Sequence, residues 1–243
     1  MPTDLHWLEP GDPPDSFPDA SLALTDPDGL LAVGGDLSVE RLLAAYRRGI
    51  FPWNQQDQPI LWWSPDPRAV LFPAELRVSR SLRRTLRKNL FSVSVDQDFA
   101  GVIAGCAADR NRPGTWITGD MLRAYRELHD AGHAHSVEAW QDGQLAGGLY
   151  GVNIGRVFFG ESMFSRRTDA SKVALVFLTE QCRELGIQLI DCQLASTHLA
   201  SLGARQIARD EFLELLRRLT AFPAPHGWSR LPSATHDLRP VGA

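Results

Sequence analysis

From position 29 onward, short apolar runs alternate with longer stretches whose apolar residues recur at helical spacing. Gly34 and Gly35 mark a tight turn. Ser38 then caps a helix running to 48, with Leu42, Leu43 and Tyr46 on its apolar face and Gly49 as its stop. Pro52, Pro59, Pro65 and Pro67 argue against a long helix in the next stretch. Ser79 caps a helix to about 89, with Arg80, Arg83, Arg84 and Arg87 on one face and Leu82 and Leu86 on another. A strand over 91–95, a helix over 98–108, a short extended piece at 116–118 and a helix over 119–131 follow. Next comes a meander of strands at 133–140, 145–153 and 157–164, the first pair joined by Asp142-Gly143, a strong hairpin signal. A helix over 171–185 stops at Gly186, and a strand over 187–193 follows it. The pattern closes with a short helix at 196–202, a strand at 204–207 and a helix at 210–219. Residues up to about 28 read as extended surface chain, and no internal repeat is visible.

Antiparallel strands followed by a strand–helix–strand crossover predict an α+β fold with helices on a mixed sheet. A small N-terminal α/β module over 1–66 and a larger catalytic domain over 67–243 are the expected division. Polar groups collect where the strands near 161 and 191 end, as binding groups do in open sheets. Glu161 stands on the first, and Asp191 and Gln193 share one side of the second because side chains alternate with period two. A carboxylate beside a carboxamide suits proton acceptance and orientation of a nucleophile. An Asp following Leu189-Ile190 calls for a partner or a task, because a lone buried carboxylate is costly.

Composition adds limits. The 243 residues are 44% hydrophobic and 22% charged, and none of the apolar runs approaches a membrane span. The acidic, proline-rich start does not read as a secretory signal, so a cytoplasmic protein is expected. Net charge is -4, yet six of the 25 basic residues lie between Arg77 and Lys88 with no acid among them. That arrangement predicts a local polyanion site on a chain without general affinity for nucleic acid. Trp53, Trp62 and Trp63 crowd one stiff segment; Trp53 suits either base stacking or a hydrophobic joint, and the other two suit the joint. Cys106, Cys182 and Cys192 form no Cys-x-x-Cys pair, and Cys192 points away from Asp191 and Gln193, which makes it a buried small residue. His133 and His135 share a strand face without further ligands nearby, so no metal is expected. Nucleophile-elbow, Walker and dinucleotide fingerprints are missing from the sequence.

The element order is similar to the acetyl-CoA-dependent N-acetyltransferase (GNAT) superfamily. A GNAT-like larger domain is therefore expected. The segment RRTDASK (166–172) departs from it, lacking the glycines that hold a pyrophosphate at a helix start. A more specific resemblance rests on GLLAVGGDL (29–37), RRGIFPW (47–53), WWSPDPR (62–68), GTWIT (114–118), GHAHSVE (132–138), GESMFSR (160–166), ASK (170–172), LIDCQ (189–193) and SLGA (201–204). In this order they resemble the leucyl/phenylalanyl-tRNA–protein transferase family, over about 29–216. That family moves Leu or Phe, and Met less well, from aminoacyl-tRNA to proteins beginning with Arg or Lys, producing a degradation signal.

The resemblance implies roles. Trp53 would stack on the terminal adenosine of the tRNA, with Trp116 and Tyr125 framing the site. Leu149, Phe158, Gly160, Met163, Leu178 and Ile190 would shape the pocket for the transferred side chain. Glu161 would hold the amino-acid end, Asp191 and Gln193 would serve the peptide-forming step, and Arg80, Arg83, Arg84, Arg87 and Lys88 would grip the tRNA. Ser196 stands where relatives often carry Asn, and Leu149 and Leu178 where they carry Met and Phe, which leaves the Leu-versus-Phe preference open. No cofactor is implied, because an aminoacyl ester is already activated. The expected partners are Leu-tRNA, Phe-tRNA and proteins with N-terminal Arg or Lys, met by a monomer. A CoA-dependent acetyltransferase and a non-catalytic RNA-binding protein are the alternatives.

Overall fold

A computed structural model describes residues 5–55, 57–108 and 117–228. Two sheets carry the fold. The smaller contains β1 (His6–Leu8), β2 (Leu30–Gly34), β3 (Phe51–Pro52) and β4 (Leu61–Trp63) in the order β1-β2-β4-β3. Between β2 and β3 lies α1 (Val39–Arg47), whose start is capped by Ser38 Oγ accepting the Arg41 N–H at 3.4 Å. Gly49 ends it with φ +73°; a Cβ there would lie 2.6 Å from Leu213, so both the turn and the packing require glycine.

The N-terminal segment is more ordered than its composition suggests. β1 pairs in parallel with β2, Leu8 is fully buried, and Phe17 packs edge-on against buried Trp62 at 4.8 Å. Arg41, itself buried, donates to the carbonyls of Asp12 at 2.8 Å and of Pro13 at 3.4 Å. These partners lie more than 20 residues away in sequence, which is why a local reading misses them.

The larger sheet has the order β11-β5-β10-β9-β8-β7-β6. Its elements are β5 (Arg68–Leu71), α2 (Arg80–Arg87), β6 (Ser92–Val95), α3 (Phe99–Ala107), α4 (Gly119–Asp130), β7 (Ala134–Gln141), β8 (Gln144–Ile154) and β9 (Val157–Ser165). They continue with α5 (Ala170–Glu184), β10 (Leu189–Gln193), α6 (Thr197–Ser201), β11 (Arg205–Ile207) and α7 (Arg209–Thr220). The β7–β8 turn has φ +52° at Asp142 and +72° at Gly143, the left-handed pair a two-residue hairpin needs. The β9–β10 pair is parallel and bridged by α5; all other pairs in this sheet are antiparallel. The fold is therefore α+β with a mixed sheet. β5, not foreseen in the sequence, lies between β10 and β11 and is antiparallel to both.

One core lies on the sheet face covered by α1, α3, α4 and α7, and it runs without a break from Leu8 and Trp62 in the small sheet to Phe159 and Phe212. The other face packs α5 and Leu82 of α2 against Leu149, Phe158 and Ile190. No helix of the described residues is long and apolar enough to cross a membrane.

Candidate active site

Two β-bulges build the site. On β9, Gly160 pairs with Gly151 and Ser162 with Tyr150, so Glu161 is the extra, unpaired residue. On β10, Asp191 pairs with Val70 and Gln193 with Ala69, which makes Cys192 the extra one. A bulge re-aims side chains and increases local twist. Glu161 therefore sits mid-strand at a bulge, whereas the sequence reading put it at a strand end. The β9 bulge also shifts the alternation: Met163 faces Leu149 and joins the side that carries Phe158. A Cβ at Gly151 would lie 2.1 Å from the Phe159 carbonyl, so glycine is required opposite the bulge.

Glu161 is buried and fully hydrogen-bonded. Tyr46 from α1 donates to its Oε1 at 2.8 Å, Tyr125 from α4 to its Oε2 at 2.7 Å, and Gln193 Nε2 to Oε1 at 2.9 Å. The two tyrosine hydroxyls are themselves 2.6 Å apart. Burial, reinforced by the Asp191 charge, outweighs these donors and raises the Glu161 carboxyl to about 7. Burial first, then the Glu161 charge, pushes Tyr46, Tyr125 and Tyr150 well above the ordinary phenol value, so all three remain neutral.

Asp191 lies behind this cluster with no exposure. Arg68, from the start of β5, grips it bidentately, Nε to Oδ1 at 2.9 Å and an Nη to Oδ2 at 2.7 Å. The guanidinium also donates to the Gly49 carbonyl at 3.1 Å and lies between the Phe51 and Phe212 rings, at 4.7 and 4.6 Å. Asp191 Oδ1 accepts the Gln193 N–H at 2.9 Å, holding Gln193 at φ +60°, a left-handed value unusual for a non-glycine residue. These contacts make Asp191 an anchor for Arg68 and for the Gln193 backbone. Both its oxygens are engaged, and nothing of it faces solvent.

The remaining expected residues divide by place. Leu149, Phe158, Leu178 and Ile190 are buried together, with half-buried Met163 packed against them. Gly160 borders this group; a Cβ there would meet nothing closer than 3.5 Å. Tyr125 belongs to the Glu161 cluster. Trp53 is 41% exposed and meets Trp63 edge-on at 5.7 Å, two residues beyond the Phe51 ring that supports Arg68. Ser196 is an exposed helix cap, accepting the Leu199 N–H at 3.1 Å, and makes no hydrogen bond to the cluster among the described residues. Trp116 lies outside the described residues. Arg80, Arg83, Arg84, Arg87 and Lys88 are exposed and form no ion pair among the described residues, while Leu82 anchors α2. Cys192 packs into the opposite core, and burial, then the Asp191 charge, pushes its thiol up, which disfavours a nucleophilic role. His135 is held by Asp96 at 2.7 Å and stacked on Trp228 at 4.4 Å.

Sequence reading missed two members of the site. Tyr46 was one more apolar position on a helix face, and only its hydroxyl distinguished it. Arg68 opens a short apolar run, Arg-Ala-Val-Leu, and a cation there was the available signal for a buried partner.

Residues 70–217 match the family described as leucyl/phenylalanyl-tRNA protein transferase, and residues 35–66 match the N-terminal domain of the same family. The leucyl/phenylalanyl-tRNA–protein transferase of Aromatoleum aromaticum is 60% identical over 227 residues, covering 93% of this chain and 94% of that one. The protein of the same name from Methylococcus capsulatus is 56% identical over 230 residues, covering 94% and 98%. Among solved structures, a GCN5-related N-acetyltransferase from Kribbella flavida aligns over 68% of this chain and 60% of its own, with a TM-score of 0.37 and 16% identity. The match over both segments, together with relatives this close along nearly their whole length, shows that the chain belongs to the leucyl/phenylalanyl-tRNA–protein transferases, a family of aminoacyltransferases.

Proposed function

We propose that this enzyme transfers Leu or Phe, and Met less well, from aminoacyl-tRNA to the α-amine of proteins beginning with Arg or Lys, marking them for degradation. The observation that carries this reading is one strip of sheet where an apolar group and a polar cluster adjoin. Leu149, Phe158, Met163, Leu178 and Ile190 stand on one side of the β9–β10 pair, and Glu161, Gln193, Tyr46 and Tyr125 on the other. Gly160 keeps the border free of side chain. The β9–β10 pairing ends at Phe159 and Asp191, and beyond that point the apolar group receives the transferred side chain and the cluster receives the amine. Selectivity in such a pocket rests on about 1–3 kcal/mol per methylene, which suits a site that accepts several apolar residues.

The chemistry needs no cofactor. The acceptor nitrogen attacks the ester carbonyl, the C–N bond forms, the bond to the ribose oxygen breaks, and one proton passes from nitrogen to that oxygen. A free α-amine has a pKa of about 7.7–8.0, so a useful fraction is neutral near pH 7. Holding amine and ester in contact supplies much of the rate. In this reading Gln193 orients the reacting groups, Glu161 holds the amino-acid end, and Asp191 is a positioning residue that fixes Gln193 while Arg68 fixes Asp191. Trp53 stacks on the terminal adenosine, with Ser196 near the acceptor end. The basic face of α2 holds the tRNA body; it is the exposed single-sign patch of an otherwise acidic chain, as phosphate binding favours. The enzyme works as a cytoplasmic monomer, where charged tRNA and new N-termini are both available.

Incubation with labelled Phe-tRNA or Leu-tRNA and a peptide beginning with Arg or Lys tests this. The label should appear on the peptide N-terminus, and a peptide beginning with Glu should remain unlabelled. Equal labelling of both peptides, or of neither, overturns the reading.

A further inference from the structure

The Glu161 cluster contains more oxygen–oxygen contacts than hydroxyl protons. Glu161 Oε1 to Tyr46, Tyr46 to Tyr125, and Tyr125 to Glu161 Oε2 are 2.8, 2.6 and 2.7 Å, three contacts closing a ring. Each needs a proton, because two lone-pair oxygens do not rest at 2.6 Å without one. Two neutral tyrosines supply two. If both donate to an ionised Glu161, the contact between the tyrosines holds none. A third proton on Glu161 satisfies the whole ring.

Charge balance points the same way. The site holds two buried carboxyls, Glu161 and Asp191, and Arg68 is the one cation bonded to either among the described residues. Asp191 takes that cation in full. Among the described residues, every titratable group facing Glu161 is then neutral or already paired: Tyr46 on α1, Tyr125 on α4, Tyr150 on β8, and Asp191 on β10 with Arg68 on β5 behind it. Gln193 adds a neutral donor.

We infer that Glu161 carries a proton in the empty site, shared round a ring with the hydroxyls of Tyr46 and Tyr125, and that a primary ammonium entering the site displaces it. The exchange balances: the ammonium brings one positive charge and N–H donors, Glu161 becomes a carboxylate, and one proton leaves to solvent. Tyr46 is thereby a positioning residue of the site. Which ammonium is meant, the α-ammonium of the aminoacyl group, rests on the function proposed above; the ring itself does not.

The test follows the Glu161 carboxyl by carbon-13 NMR in the full chain with labelled glutamate, Glu161→Gln identifying the signal. In the empty protein the signal should titrate with a midpoint near 7 and be protonated at pH 6. At pH 6, saturating phenylalaninamide should convert it to the ionised form, whereas 3-phenylpropanamide, which lacks the amine, should leave it unchanged. Tyr46→Phe removes a hydroxyl whose bond to the ionised carboxylate is stronger than its bond to the neutral acid, so the midpoint should rise. An empty site already ionised at pH 6, no response to phenylalaninamide, an equal response to both amides, or an unchanged or lower midpoint in Tyr46→Phe overturns the inference. Loss of peptide labelling with these titrations intact would count against the proposed function and leave the ring standing.

Discussion

At the scale of single residues, two buried carboxyls behave oppositely, and their partners explain why. Asp191 is matched to a bidentate, aromatic-flanked guanidinium, so removing Arg68 leaves an uncompensated buried carboxylate. Arg68→Met should cost about 3–5 kcal/mol, read as a lower urea midpoint. Arg68→Met combined with Asp191→Leu should recover most of that stability while transfer stays lost, because Gln193 loses its anchor. Glu161 has hydroxyl and amide donors but no cation. Its folded carboxyl lies near 7, above its ordinary value of 4.5, so the folded state binds the proton more tightly. Stability from this group is present below about 4.5 and is lost as pH rises through about 7. Glu161→Gln, which keeps an amide N–H for the ring, should therefore gain on the wild type across that window, by at most ~3 kcal/mol. Melting temperatures of both proteins between pH 4.5 and 8 check the sign.

At the scale of elements, two bulges and a helix face set the geometry on which the proposed function rests. The β9 bulge lets one strand serve both sides: Phe158 and Met163 face one core, and Glu161 faces the other. The β10 bulge accompanies the left-handed Gln193 that reaches back to Glu161. The helix α2 is held by Leu82 below and by Thr85 donating to Asp169 at 2.9 Å, which leaves its arginines free. Replacing Arg80, Arg83, Arg84 and Arg87 by Gln should weaken tRNA binding at low salt and flatten its salt dependence. The slope of log K against log salt should lose about 0.7–0.9 for each phosphate contact removed. An unchanged slope in filter binding from 50 to 200 mM salt would remove α2 from the tRNA interface.

At the scale of the molecule, the two sheets divide between Trp63 and Arg68, yet their core is continuous. Arg68 adds to this continuity, reaching the Gly49 carbonyl and the Phe51 ring on the N-terminal side and Phe212 on α7. Residues 1–66 and 67–243 should accordingly unfold together. Calorimetry should show a single transition whose calorimetric and van't Hoff enthalpies agree; two resolved transitions would mean independent domains.

The order and type of most elements were legible in the chain, because helix caps, Asp142-Gly143 and the apolar periods act over a few residues. Ser38, Ser79 and the meander at 133–164 are examples. Glu161, Asp191 and Gln193 were also legible as polar residues interrupting apolar strands. Tertiary structure alone decided the rest. β1 on β2 and β5 between β10 and β11 join residues far apart in sequence, and no local pattern encodes such pairing. The bulges arise from register between strands, so a period-two reading places Glu161 at a strand end. Tyr46 and Arg68 acquire their roles only when α1 and β5 are brought against Glu161 and Asp191. Asp191 meets a guanidinium and Glu161 meets hydroxyls and an amide because of the elements the fold brings against each, which their own residue types do not encode.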